Sequence, residues 1–382
     1  MVKYILSQNL TDIKSRGIYG RTPLMMAALQ GYRDVFDLLV SKGGDALLVD
    51  TDDQNILHLA CLGGNVEMLK YILSQNLTDI NSRGIYGRTP LMMAALKGYR
   101  DVFDLLVSKG GDALLVDTDD QNILHLACLG GNVEMVKYIL SQNIADINSR
   151  DIYGRTPLMK AAGHRDVFDL LVKKRGDASL VDMYGDNVLH LASRRGHVEV
   201  VEYVLSNNVV DVNSRGRYGR TPLMVAAGTG HTNVFDLLVD RGGNASAVDD
   251  RGSNILHVAC FFGQVKMVMH IISHNIVEIN SRGVYGRTPL LMASAKGNIE
   301  LFDFLVSKGG NMSVVDENNY TILHTACLRD HVEMVTHILS QSVVDVNARN
   351  KYGMTAAMTA KNNYNTESYV LLMKRMGKQP DV

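Results

Sequence analysis

The stretch Tyr86-Gly87-Arg88-Thr89-Pro90-Leu91-Met92-Met93-Ala94-Ala95 recurs almost unchanged at residues 19–28, 153–162 and 218–227, and with small changes at 285–294. Five of the six prolines, Pro23, Pro90, Pro157, Pro222 and Pro289, fall inside it. Tyr19, Tyr86 and Tyr153 stand 67 residues apart, and Tyr218, Tyr285 and Tyr352 follow at 65, 67 and 67. A fixed period over most of a chain marks an array in which each unit buries its apolar face against its neighbours.

The stretch is a helix start. Thr89 has a hydroxyl that accepts from the orphan amides of a first turn, and Pro90 suits the first helical position because its missing N–H has no partner there. Leu91, Ala94 and Ala95 share one face, and the small alanines let another backbone come close. Gly98, like Gly31, Gly230 and Gly297, ends this short helix. The run 101–107 (Asp-Val-Phe-Asp-Leu-Leu-Val) has helical apolar spacing again, and Gly110-Gly111 stops it. Halfway through each period a second version appears. In residues 122–128 (Asn-Ile-Leu-His-Leu-Ala-Cys) Asn122 is the cap, Gly131 breaks the helix, 133–140 forms the next one and Asn143 replaces its terminal glycine. Five residues before each His or its equivalent stand Gly20, Asp53, Gly87, Asp120, Gly154, Gly185, Gly219, Gly252, Gly286 and Asn319, the residue types that turns use at positive φ.

A two-helix unit of about 33 residues with a T-P-L-H-x-A signature resembles the ankyrin repeat. The histidine is kept at His58, His125, His190, His257 and His324; Met25, Met92, Met159, Met224 and Leu291 replace it in the other copies. The resemblance covers almost the whole chain. It implies an all-α solenoid of stacked helix-turn-helix units with projecting hairpin loops, in a gently curved array. Residues 1–17 read as a partial N-terminal repeat, 18–350 as ten repeats in five two-repeat blocks, and 351–382 as a degenerate C-terminal capping repeat and tail. The start lacks both its first helix and a polar cap, which predicts either a fragment of a longer repeat protein or a frayed end. Residues 18–84 and 85–151 differ at only five of 67 positions, which points to a recent duplication. Residues 161–166 are two shorter than their counterparts at 94–101, so either that first helix ends early or the turn between the helices tightens, and packing near 160–166 is expected to be weaker.

Lys+Arg of 39 against Asp+Glu of 40 gives −1, so no global field favours nucleic acid or an anionic membrane surface. No apolar run approaches a membrane span, and the start lacks a signal-peptide pattern. Cys61, Cys128, Cys260 and Cys327 occupy one register position in alternate repeats, on the order of 20 Å apart at a helix spacing of ~10 Å. That separation excludes an intramolecular disulfide or a shared zinc site and predicts small buried thiols in a reducing compartment.

No H-E-x-x-H, G-x-S-x-G, P-loop or Cys-x-x-Cys occurs, and the repeats leave no length for a catalytic domain. The expectation is a monomeric, non-catalytic interaction scaffold in the cytoplasm, or in the nucleus. It has no cofactor, metal or nucleic acid, it is not inserted in a membrane, and its partner is another protein. The alternative is a regulatory ankyrin region cut from a larger membrane channel or multidomain enzyme. The histidines stand one per two repeats, too far apart to share a metal, and the resemblance implies that they tie neighbouring loops. It also implies that the residue after the histidine position and the one three further on face the concave surface. These are Met26/Leu29, Leu59/Leu62, Met93/Leu96 and Leu126/Leu129, then polar or small pairs that include Lys160/Gly163, Leu191/Arg194 and Val225/Gly228, then Val258/Phe261 with Phe262 beside it. They form either an apolar groove for a partner or packing against adjacent repeats. Arg83/Arg88, Arg150/Arg155, Arg215/Arg220 and Arg282/Arg287 at the loop tips read either as phosphate or carboxylate binders or as structural pairs between loops. Asn81, Asn148, Asn213, Asn280 and Asn347 resemble the hairpin asparagine that an asparaginyl hydroxylase modifies in some ankyrin proteins; their simpler reading is an asparagine bonding its own backbone.

Overall fold

The computed structural model describes residues 12–341 and 344–377. Most of the expected partial repeat at 1–17, and the end of the tail at 378–382, lie outside the described residues. These fall into two bodies divided between Met183 and Tyr184. Among them are eleven helix pairs and no strand.

The leading helices start where local chemistry predicts. Oγ1 of Thr22, Thr89, Thr156, Thr221 and Thr288 accepts from the amide of the third helical residue, and proline takes the first position. In the alternate pairs Oδ1 of Asn55, Asn122, Asn187 and Asn254 caps two amides at once. All ten turn positions, glycine, aspartate and asparagine alike, have φ between 55° and 84°. Tyr19, Tyr86, Tyr218 and Tyr285 are also left-handed, with φ of 56–60°. Their carbonyls accept from the next loop, as in Thr118 N–H to Tyr86 O at 2.9 Å and Asp250 N–H to Tyr218 O at 2.9 Å. That ladder of loop hydrogen bonds offsets the strain of a non-glycine residue at positive φ.

In the N-terminal body the leading helices Pro23–Gln30, Ile56–Gly63, Pro90–Lys97, Ile123–Gly130 and Pro157–Lys160 pack each on the next in chain order. In the C-terminal body Val188–Arg195, Pro222–Thr229, Ile255–Phe261, Pro289–Lys296, Ile322–Cys327 and Ala356–Asn362 do the same. Each two-repeat block also buries one phenylalanine on a trailing helix: Phe36, Phe103 and Phe168 in one body, Phe235 and Phe302 in the other. Full burial of such a ring contributes about 2–3 kcal/mol. Phe103 meets Tyr138 edge-on at 5.9 Å, and Phe302 meets His337 in the same way at 5.9 Å. In the shortened block the first helix ends early, while Ala161 and Ala162 stay fully buried. The α-helix Pro157–Lys160 is cut to four residues, and a 3-10 turn, Ala161–Gly163, completes it.

Candidate protein-binding face

The side chains with chemical potential are used inside the repeats. His58 Nε2 lies 3.0 Å from the Arg88 carbonyl, His125 from that of Arg155 at 3.0 Å, and His324 from that of Met354 at 3.0 Å. A carbonyl only accepts, so Nε2 carries the proton and each ring clamps the start of the next repeat. Burial pushes the imidazoles of His58, His125, His257 and His324 below their ordinary value, against the opposing pull of these backbone bonds. The four cysteines are unpaired and buried, and burial pushes their thiols up, away from the reactive thiolate.

The loop arginines resolve in the same direction. Arg88 Nε sits 3.2 Å from Asp117 Oδ2, with the side chains 14 % and 0 % exposed, and Arg155–Asp182, Arg220–Asp249 and Arg287–Asp316 repeat the pair. Arg83 donates to the carbonyls of Gly87 and Val116; Arg282 donates to those of Gly286 and Val315. Arg150 and Arg215 reach the carbonyls of Val181 and Val248. All eight bridge loops. The hairpin asparagines differ from the simple expectation. Oδ1 of Asn81, Asn148, Asn213 and Asn280 accepts from the amide of Asp112, Asp177, Asn244 and Asn311, one repeat on, so these side chains join repeats rather than cap their own turn.

The leading-helix row is corrected in depth. Leu59, Leu126, Met93 and Val258 are buried, because the small residues at Ala60, Cys61, Ala94 and Ala95 bring consecutive helices close enough to enclose the position between them. These four cannot present surface to a partner. Met26 is 41 % exposed, whereas Leu29, Leu62, Leu96 and Leu129 keep only partial exposure. Within this row the most exposed side chains are Phe261 and Phe262, 45 % and 50 % exposed, whose rings meet edge-on at 5.1 Å. Arg217 and Tyr218 line a cavity with Phe262, and Arg217 and Arg251 both lie over the Tyr218 ring; the two arginines depart from the repeat register, whereas Tyr218 keeps it.

Human transient receptor potential cation channel subfamily A member 1 is 24% identical over 322 residues, covering 72% of this chain and 29% of that protein. Its Caenorhabditis elegans homolog is 29% identical over 200 residues, 52% of this chain and 14% of that protein. Ankyrin repeat protein nuc-2 of Neurospora crassa is 26% identical over 316 residues, 78% and 28%. The chain thus spans less than a third of each of these relatives. No helix among the described residues is long and apolar enough to cross a membrane. The family model for ankyrin repeats in three copies matches residues 24–117, 109–182, 163–249, 241–316 and 290–382, and with the helix pairs, caps and histidine clamps this places the chain in the ankyrin repeat family.

Proposed function

We propose that the chain is a non-catalytic protein–protein interaction scaffold that works in the cytoplasm or nucleus, as a monomer, without cofactor, metal or nucleic acid. The observation that carries this reading is the contrast between the two kinds of side chain on the leading helices. Histidine and cysteine are buried in structural roles, while Phe261 and Phe262 are left half exposed. Exposed aromatic side chains on a rigid frame are the usual anchors of protein interfaces. Proteins bound in an affinity pull-down with the intact chain test it. Leu62→Glu with Leu129→Glu is expected to remove partners held by the N-terminal body with little loss of helical circular dichroism. Loss of the helical signal, or an intact chain that retains no protein, overturns it.

The partial coverage of the relatives favours a second reading. Two of them carry a cation channel in their names, which supports reading the chain as a regulatory ankyrin region of a larger membrane channel or multidomain enzyme. A transcript that continues in frame into a membrane-spanning or catalytic segment supports it.

A further inference from the structure

The C-terminal body contains a cavity of about 420 Å³ where two neighbouring leading helices depart together from the repeat register. In the N-terminal body Leu29 faces Gly63 and Leu96 faces Gly130. A Cβ on either glycine would lie 1.9 Å from the carbonyl oxygen of the facing leucine, so the second helix must be bare there. The C-terminal body exchanges the two sizes. Gly228 stands where Leu29 and Leu96 stand, and Phe262 replaces Gly63 and Gly130. Phe262 tolerates its bulk because its helix, Ile255–Phe261, ends one residue sooner than Ile56–Gly63, which leaves the phenylalanine as the cap. Its ring closes over Gly228, where an added Cβ would meet Val258 Cγ1 at 2.9 Å and Phe262 Cδ2 at 3.1 Å. The missing leucine leaves an apolar floor.

The rim is cationic. Arg194 occupies the place of Leu62 and Leu129, and Arg217 that of Ile18 and Ile85. Arg194 is paired with Asp186 at 2.7 Å and Arg220 with Asp249 at 3.3 Å. Arg217 makes no ion pair among the described residues. Its guanidinium lies over the rings of Tyr184 at 4.4 Å and Tyr218 at 4.9 Å and donates to Tyr218 Oη at 3.1 Å. A guanidinium held by two rings and one hydroxyl has further N–H groups to donate, and a carboxylate is the partner its charge favours. Of the three arginines that line the cavity, Arg194 and Arg220 are already neutralised, which leaves Arg217 to meet an incoming carboxylate.

We propose that this cavity binds a short acidic segment of a partner protein, with a bulky apolar side chain seated on Gly228 and Phe262 and an adjacent carboxylate held by Arg217. The proposal rests on the scaffold reading and specifies its ligand. The volume suits one or two side chains, at the small end of ligand pockets, which run from about 300 to 1,000 Å³.

The test pans a short random-peptide display library on the intact chain and titrates the enriched peptides, labelled with fluorescein, into variants. Enrichment of Glu or Asp beside Leu, Met or Phe is expected. Arg217→Ile, the residue at this place in the N-terminal body, is expected to weaken binding ~10-fold or more, and Glu→Gln in the peptide to match it. Gly228→Leu with Phe262→Gly restores the pairing that already folds in the N-terminal body, and is expected to abolish binding with unchanged circular dichroism. Three outcomes overturn the proposal: peptides indifferent to these substitutions, phosphopeptides that bind more tightly than carboxylate ones, or no enrichment at all. A natural partner retained equally by the intact chain and the doubly substituted variant sinks the pocket while leaving the scaffold standing.

Discussion

Residues 18–151 write one 67-residue block twice with five differences, whereas residues 217–283 keep the same frame with new side chains at its seams. Both regions retain the Thr-Pro caps, the buried phenylalanine, the Arg–Asp pairs and the histidine clamp. They part where one leading helix faces the next: leucine against glycine in the first, glycine against phenylalanine in the second. The frame therefore sets the fold, and the seam positions set what surface the fold displays. Volume lost on one helix is regained on its neighbour, so substitutions there come in compensating pairs.

The sharpest break between frame and surface should come from comparing two phenylalanines. Phe103 is fully buried and Phe262 half exposed. Phe103→Ala is expected to cost about 3–5 kcal/mol in urea unfolding through lost burial and a residual cavity. Phe262→Ala should cost less than about 1 kcal/mol, in the range of surface substitutions. Equal losses would erase the distinction.

The next test uses a compensating pair inside the N-terminal body. Lys160 and Asp151 stand where the preceding block has Met93 and Gly84, and Lys160 Nζ lies 2.7 Å from Asp151 Oδ2 with both side chains almost out of water. Lys160→Met alone leaves a buried carboxylate without its cation and is expected to cost about 3 kcal/mol or more. Adding Asp151→Gly should recover stability to within ~1 kcal/mol of the parent, because it rebuilds the neighbouring repeat. A double variant as unstable as the single one would mean that the pair is not coupled.

The histidine clamp is common to both bodies, so pH should not separate them. Burial holds His58, His125, His257 and His324 below their usual value of 6.5. Once unfolded they protonate at that ordinary value, so below it the unfolded chain binds more protons than the folded one. Stability from this source is complete above about pH 6.5 and declines as pH falls toward the folded values. Urea midpoints should drop between about pH 7.5 and 5.5, and His125→Gln should flatten that slope. Midpoints unchanged over this range would exclude a neutral buried ring.

Much of this was legible because it is local. Thr89-Pro90 and Asn122 act within one turn, and Gly20 or Asp53 answers to its own φ, so residue type alone predicts them. The left-handed tyrosines were not legible, since the next loop imposes that conformation through a hydrogen bond to their carbonyls. A spacing of three told which face Leu59 and Leu62 share but not their depth, which depends on how closely the next helix approaches. Arg217 showed only as a departure from isoleucine. Its role needs Tyr184, Tyr218 and the exchange at Gly228 and Phe262, residues far apart in the chain.

The smallest expected effect lies where the frame itself is cut. The block at 153–173 keeps Ala161 and Ala162 fully buried despite its shortened helix, and His164 Nε2 reaches the Leu129 carbonyl at 3.0 Å across the gap. Apolar contact is preserved there, while the hydrogen-bond ladder of a full helix is replaced by a 3-10 turn of poorer geometry. Amides in residues 161–164 should therefore exchange faster than those in residues 94–98 of the preceding block, by roughly 1 kcal/mol in opening free energy. Because the two stretches share nearly all their neighbours in type, equal protection would show that burial of the alanines, and not helix length, governs local stability in these repeats.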